Sequence, residues 1–283
     1  MWCASSFPAE SPRMLKSLRK LRAVFLASWQ ESLIYRAESL VWFIGEAIIP
    51  LIMIALWLAA YRTVDRIGEY TVQDMVNYYV MFLILSNLLT PHLEWNTGDW
   101  IRSGAFSAHL VRPFPYQLWQ LAVEVAFKGV RVVFLVPMLL LFLLFFGQEM
   151  LGGFALRWEI APILLASMVF SFLLNYCLKL SLGLLAFWVG QTAGIIESYA
   201  VVTMFLAGSI IPLDLMPAGV ERVTHFLPFR YLYFFPVQLL QGRLDFLSAL
   251  SALAIQAGWL LVCYLFVQWV FAAGVRRYGA YGG

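Results

Sequence analysis

Charge is what this 283-residue chain has least of. Lys, Arg, Asp and Glu make up 12% of it, against 62% hydrophobic residues and a mean hydropathy of +0.80. Charged residues are about a quarter of an ordinary soluble chain, so a soluble globule is excluded. The stretches 48–60, 132–146 and 249–273 contain no charged residue at all. Apolar runs near 20 residues suit a hydrocarbon core of roughly 30 Å. They are continuous, not alternating, which indicates helices instead of barrel strands.

The usual carriers of chemistry are also scarce. Cysteine occurs three times, at Cys3, Cys177 and Cys263. That odd number, two of them within expected spans, shows no disulfide framework and no metal-ligand spacing, and reads as small apolar residues. The three histidines, His92, His109 and His225, are scattered, and none has a partner at metal-binding distance along a helix. There is no G-x-x-x-x-G-K-[ST], hence no P-loop for ATP in this chain, and no H-E-x-x-H or G-x-S-x-G. Gly190-Gln191-Thr192-Ala193-Gly194 resembles a nucleophile elbow only in outline. It reads as a turn between two apolar segments. Residues 1–13 lack the apolar stretch of a signal peptide. They are expected to be disordered or a non-native start, with Met14 opening a single transmembrane domain over 14–283.

The fold class expected is all-α: a polytopic membrane protein of six transmembrane helices at about 40–61, 72–93, 130–146, 160–189, 193–211 and 247–273. The fourth and fifth are joined by the Gly190 turn as a hairpin. Before the first, Leu18, Leu21, Phe25 and Trp29 recur at helical spacing, with Lys16, Arg19 and Lys20 opposite. That pattern predicts an amphipathic helix on the membrane surface. Lys and Arg divide unevenly. Arg13, Lys16, Arg19, Lys20, Arg22, Arg36, Arg102, Arg112, Lys128, Arg131, Arg276 and Arg277 fall on one side. Arg62, Arg66, Arg157, Arg222, Arg230 and Arg243 fall on the other. The excess puts both termini in the cytoplasm.

Two loops exceed what connection requires. In the cytoplasmic loop, Asp99 is a candidate N-cap, and Trp100, Ile101, Phe106 and Leu110 share a face of a short helix stopped at Arg112-Pro113. Such a helix either docks in another protein's groove or anchors the loop at the interface. The external loop, 212–246, is cut by Pro212, Pro217, Pro228 and Pro236 and crowded with aromatics from Phe226 to Phe235. It is too apolar for a solvated loop and is expected to fold back as a re-entrant segment, to form an aromatic belt, or both. Three ionisable residues lie within spans: Glu46, Lys179 and Glu197. Ionisable groups at that depth are paired or functional. Lys179 and Glu197 lie at similar distances from the Gly190 turn and are expected to pair across the hairpin.

The layout, with Leu206-Ala207-Gly208-Ser209-Ile210-Ile211-Pro212-Leu213-Asp214-Leu215-Met216-Pro217, Leu227-Pro228-Phe229 and Gln241-Gly242, resembles the permease subunits of type-2 ABC exporters. Ile101-Arg102-Ser103-Gly104 to Leu110-Val111-Arg112-Pro113 is similar to a pattern in the branch whose ATPase is a separate chain. The resemblance covers nearly the whole chain from Met14. It implies a dimer of identical or related permeases in the cell (inner) membrane, with cytoplasmic ABC ATPase subunits. Trp100, Ile101, Arg102, Phe106, Leu110 and Arg112 would couple to those ATPases. Gly208, Pro212, Met216, Pro217 and Pro228 would shape an external gate. No cofactor is expected in this chain, ATP and Mg belonging to the ATPase. The substrate class implied is hydrophobic or amphipathic. A membrane-embedded lipid-modifying enzyme, drawing on Asn87, His92 and Glu94, and a non-catalytic assembly component are the alternatives.

Overall fold

The computed structural model describes residues 12–34, 36–112, 114–150 and 158–279. Nearly all of the expected leader, 1–13, and Arg157 lie outside them. Among the described residues the chain is helical, with no strand. The helices are α1 (Pro12–Ile34), α2 (Arg36–Ala60), α3 (Val72–Leu89), α4 (Glu94–Arg102), α5 (Ser107–Leu110) and α6 (Tyr116–Met150). They continue with α7 (Ala161–Leu184), α8 (Ala193–Leu206), α9 (Ala218–His225), α10 (Phe234–Leu240) and α11 (Phe246–Arg277). Phe43–Ala60, Ala161–Phe187 and Phe246–Arg277 are each long and apolar enough to cross a membrane. The other expected spans fall on α3, α6 and α8. Of these, α8 is apolar but only 14 residues long. At 35 residues, or about 52 Å, α6 exceeds a bilayer's apolar thickness.

α3 sits at the centre. Tyr78, Met81 and Leu83 have essentially no exposed surface, because α2, α6, α7 and α10 surround it. Its start is a capping box: Thr71 accepts from the Asp74 amide while Asp74 accepts from the Thr71 amide. The most extensive packing joins α7 to α11 and α1 to α6. The amphipathic first helix thus lies along another helix of its own chain, and the Trp29 ring occupies the space beside Gly129 of α6.

The loop between α8 and α11 folds back into the bundle. Residues 231–239 are buried without a break. The aromatics from Tyr231 to Phe235 are therefore core, with Tyr231, Phe234 and Phe235 at 3% exposure or less, whereas Phe226 is exposed. Pro212, Pro217 and Pro228 each stand at the start of a short helical turn, where the missing amide hydrogen costs nothing.

One expectation about this region is corrected. α7 and α8 follow one another through residues 188–192 but do not pack as a hairpin. α8 rests chiefly on the 3₁₀ turn Pro228–Tyr231. Glu197 is exposed and Lys179 points elsewhere.

Candidate coupling and gating site

Seven ionisable side chains converge where α3 ends. Arg131 of α6 donates to both carboxylate oxygens of Glu46 on α2, at 2.7 Å each. His92 Nε2 lies 2.8 Å from Glu46 Oε1. Lys179 of α7 donates to Glu94 Oε1 of α4 at 2.8 Å. The Lys128 ammonium, also from α6, donates to the Asn87 carbonyl at 2.9 Å and to the Thr90 carbonyl. It thereby caps the negative end of α3. Glu124 accepts from the His92 amide at 3.1 Å. Three acidic side chains thus face three basic ones around His92, a balance that suits burial among such groups.

Lys179, expected to pair with Glu197, pairs with Glu94 instead, because its face of α7 is the one α4 lies against. The two helices approach closely. A Cβ on Gly183 of α7 would stand 2.7 Å from Thr97 Cβ and 2.9 Å from the Glu94 carbonyl of α4, so no other residue fits there. Small residues permit such approaches between membrane helices.

The segment expected as one helix around Trp100–Leu110 is two. α4 begins at Glu94, so Asp99 is not its cap; it lies in the last turn and pairs with Arg102. The chain then turns through Gly104 at φ 81° into α5. Phe106 is fully buried against Tyr116, Phe187, Phe271 and Tyr278. Ile101 is 5% exposed and Trp100 stacks near His109 and Trp119. The apolar residues expected as anchors for a partner hold the hairpin to its own chain. What faces outward is Arg102, Leu110, Val111 and Arg112. His109, between its ring neighbours and near Arg112, is pushed below the usual imidazole pKa by burial and then by that charge.

At the opposite end, the infolded loop is fastened by buried and half-buried polar contacts. Tyr70 donates to Asp214 Oδ2 at 2.7 Å, and Gln238 donates to the Tyr70 hydroxyl at 3.0 Å. The Arg243 guanidinium lies 3.7 Å from the Tyr70 ring centroid. Tyr78 donates to the Gly208 carbonyl at 2.6 Å, and Tyr79 to that of Ile210. Deeper, Gln256 of α11 donates to the Tyr231 carbonyl at 3.0 Å and to Ser171 Oγ at 2.8 Å. Of the residues expected at a gate, Gly208, Pro212 and Pro228 are buried in this layer, Met216 is half-buried and Pro217 is exposed. Tyr70, Tyr78, Tyr79 and Gln238 went unnoticed in the sequence.

So did the roles of Glu124, Lys128 and Arg131. Their i, i+4, i+7 spacing puts them on one helical face, and that was the available signal.

A family model described as "ABC-2 family transporter protein" matches residues 47–282. The chain belongs to the ABC-2 transporter family. The match takes in the α4–α5 hairpin, the infolded loop and every member of the charged cluster except Glu46. No curated protein matches the chain. As an ABC-2 membrane protein it is a transport component of the membrane, the class of subunit that works with ATPases.

An open groove of about 720 Å³ runs between α6, α7 and α11 of this ABC-2 protein. Leu121, Phe170, Leu173 and Leu260 line its length. At one end Gln268 donates to Gln117 Oε1 at 2.7 Å, and Tyr176 donates to the Gln117 carbonyl at 2.6 Å.

Proposed function

We propose that this chain is the permease subunit of an ATP-driven exporter. It would span the cell (inner) membrane six times with both termini cytoplasmic. A second permease, identical or related, and separate cytoplasmic ABC ATPases would complete the complex. The observation that carries this reading is the mechanical continuity from α4 into the spans. The Lys179–Glu94 bridge and the Gly183 contact fasten α4 to α7, and the adjoining charged cluster joins α2, α3 and α6. A push on the outward face of the hairpin, at Arg102, Leu110, Val111 and Arg112, would therefore be delivered to helices that surround α3. Arg102 and Arg112 would orient the ATPase and Leu110 and Val111 would supply apolar contact.

The substrate class is hydrophobic or amphipathic. An apolar groove with an amide pair at one end suits a ligand with an apolar body and a polar head. The lipid-modifying alternative draws less support. His92 goes to Glu46 and Glu94 to Lys179, and the Asn87 amide donates back to the Leu83 carbonyl.

The test is reconstitution. Vesicles holding the chain and an ABC ATPase should lose an amphipathic dye in an ATP-dependent manner, and the two proteins should co-purify. A purified chain that modifies lipid without nucleotide would overturn the reading.

A further inference from the structure

We propose that the cavity where α1 meets the α5–α6 corner is a binding site for the phosphate headgroup of an anionic phospholipid. The cavity measures about 350 Å³, at the small end of the range for ligand sites. It suits a headgroup more than a whole lipid. Its walls bring Lys20 from α1 together with Arg112, His109, Tyr116 and Trp119 from the corner, while Ala23 and Val24 form an apolar side.

Three features point to an anion. Lys20 and Arg112 are both basic side chains and come from segments about 90 positions apart in sequence, so only the fold joins them. Arg112 is held over the Trp119 ring, 5.3 Å from its centroid, which fixes the guanidinium at the rim. His109 is 9% exposed and its Nδ1 has no hydrogen-bond partner, although its ring lies between Trp100 and Trp119 at centroid distances of 4.8 and 4.7 Å. A nitrogen buried without a partner is costly. The imidazole that carries it lines the cavity and is held in place there by the two indoles.

A lipid is the source that the surroundings favour over a free anion. Tyr and Trp rings beside Lys and Arg are the side chains that settle at headgroup depth. α1 is the segment whose sequence reads as interfacial, and basic residues near the surface attract anionic lipid. α5 leads directly from the α4 hairpin, so a headgroup held there would tie that hairpin to α1.

The experiment uses the full chain in neutral detergent. Native mass spectrometry and titration calorimetry would compare dihexanoyl-phosphatidylglycerol, dihexanoyl-phosphatidylcholine and inorganic phosphate. The anionic lipid should bind the wild type about tenfold or more tighter than the zwitterionic one, and the Lys20→Gln/Arg112→Gln variant should lose that margin with an unchanged unfolding temperature. His109→Phe keeps the stacked ring, removes the polar imidazole from the cavity wall and should weaken binding severalfold. Wild-type binding by the double variant overturns the site. Equal binding of the two lipids overturns it too, as does inorganic phosphate that competes as well as the lipid. These two comparisons need only the wild-type protein, so they decide the matter even if a variant folds poorly.

Discussion

The groups that matter most are ionisable side chains in an apolar setting. Glu46 and Lys179 could be found in the sequence because each interrupts an apolar run, and a charge there must be neutralised. Their partners could not. Arg131 and Glu94 each lie 85 positions away from the residue they pair with. Glu197 shows the converse. It interrupts an apolar run just as Lys179 does, yet it ends up exposed, since α8 turns that face outward. Removing one member of a buried pair leaves a charge stranded, at a cost of about 3–5 kcal/mol. Lys179→Met is therefore expected to lower the unfolding temperature in detergent sharply. Adding Glu94→Leu should restore much of it, a coupling of about 1–3 kcal/mol in a double-mutant cycle. Additive effects would mean that the two residues do not interact. At the other end, Tyr70→Phe removes the hydroxyl that links Asp214 and Gln238 and leaves them only their direct contact at 3.3 Å. A loss of about 1–3 kcal/mol, seen as increased proteolysis of the 207–245 loop, is expected.

Among the elements, the α4–α5 hairpin departs furthest from its sequence pattern. Apolar residues at Trp100, Ile101, Phe106 and Leu110 signal a helix face. The pattern does not say whether that face meets another protein or the chain's own core. Here the core takes Phe106, because Tyr116, Phe187 and Phe271 leave a slot of its shape. Gly104 breaks the helix so that the side chain can turn in. This decides which substitutions test coupling. Phe106→Asp is expected to abolish folded protein, so a failed pull-down with it would say nothing about the ATPase. Arg102→Glu combined with Val111→Asp changes only outward side chains; Val111 is 83% exposed. That variant should keep the wild-type unfolding temperature while losing ATPase association by about tenfold or more, consistent with removal of a contact worth roughly 1.4 kcal/mol or more. Normal association would move the coupling role away from this hairpin.

For the whole molecule, the distribution of Lys and Arg remains the argument for orientation, and it makes a prediction that labelling can check. Single cysteines placed in the 62–69 turn should react with an impermeant maleimide added outside intact cells. Cysteines in 103–112 should react only after the membrane is opened. The reverse result would invert the topology. The architecture adds a reason why the loop before α11 is so apolar. It supplies the packing surface between α3 and α7, a place that an ordinary bundle would fill with a helix.

Composition and continuous apolar runs pointed to a helical membrane protein, and a helix lies at each expected span because hydropathy and periodicity are local properties, although α6 starts 14 residues before its span. The first helix, the infolded loop and the helices at each expected span were all legible for that reason. Which helices touch was not legible. The separation of α7 from α8, the capping of α3 by Lys128, the inward turn of Phe106 and the meeting of Lys20 with Arg112 are settled only in three dimensions. A buried polar group takes whatever partner the packed bundle brings within about 3 Å, and nothing local in the chain encodes which one that will be.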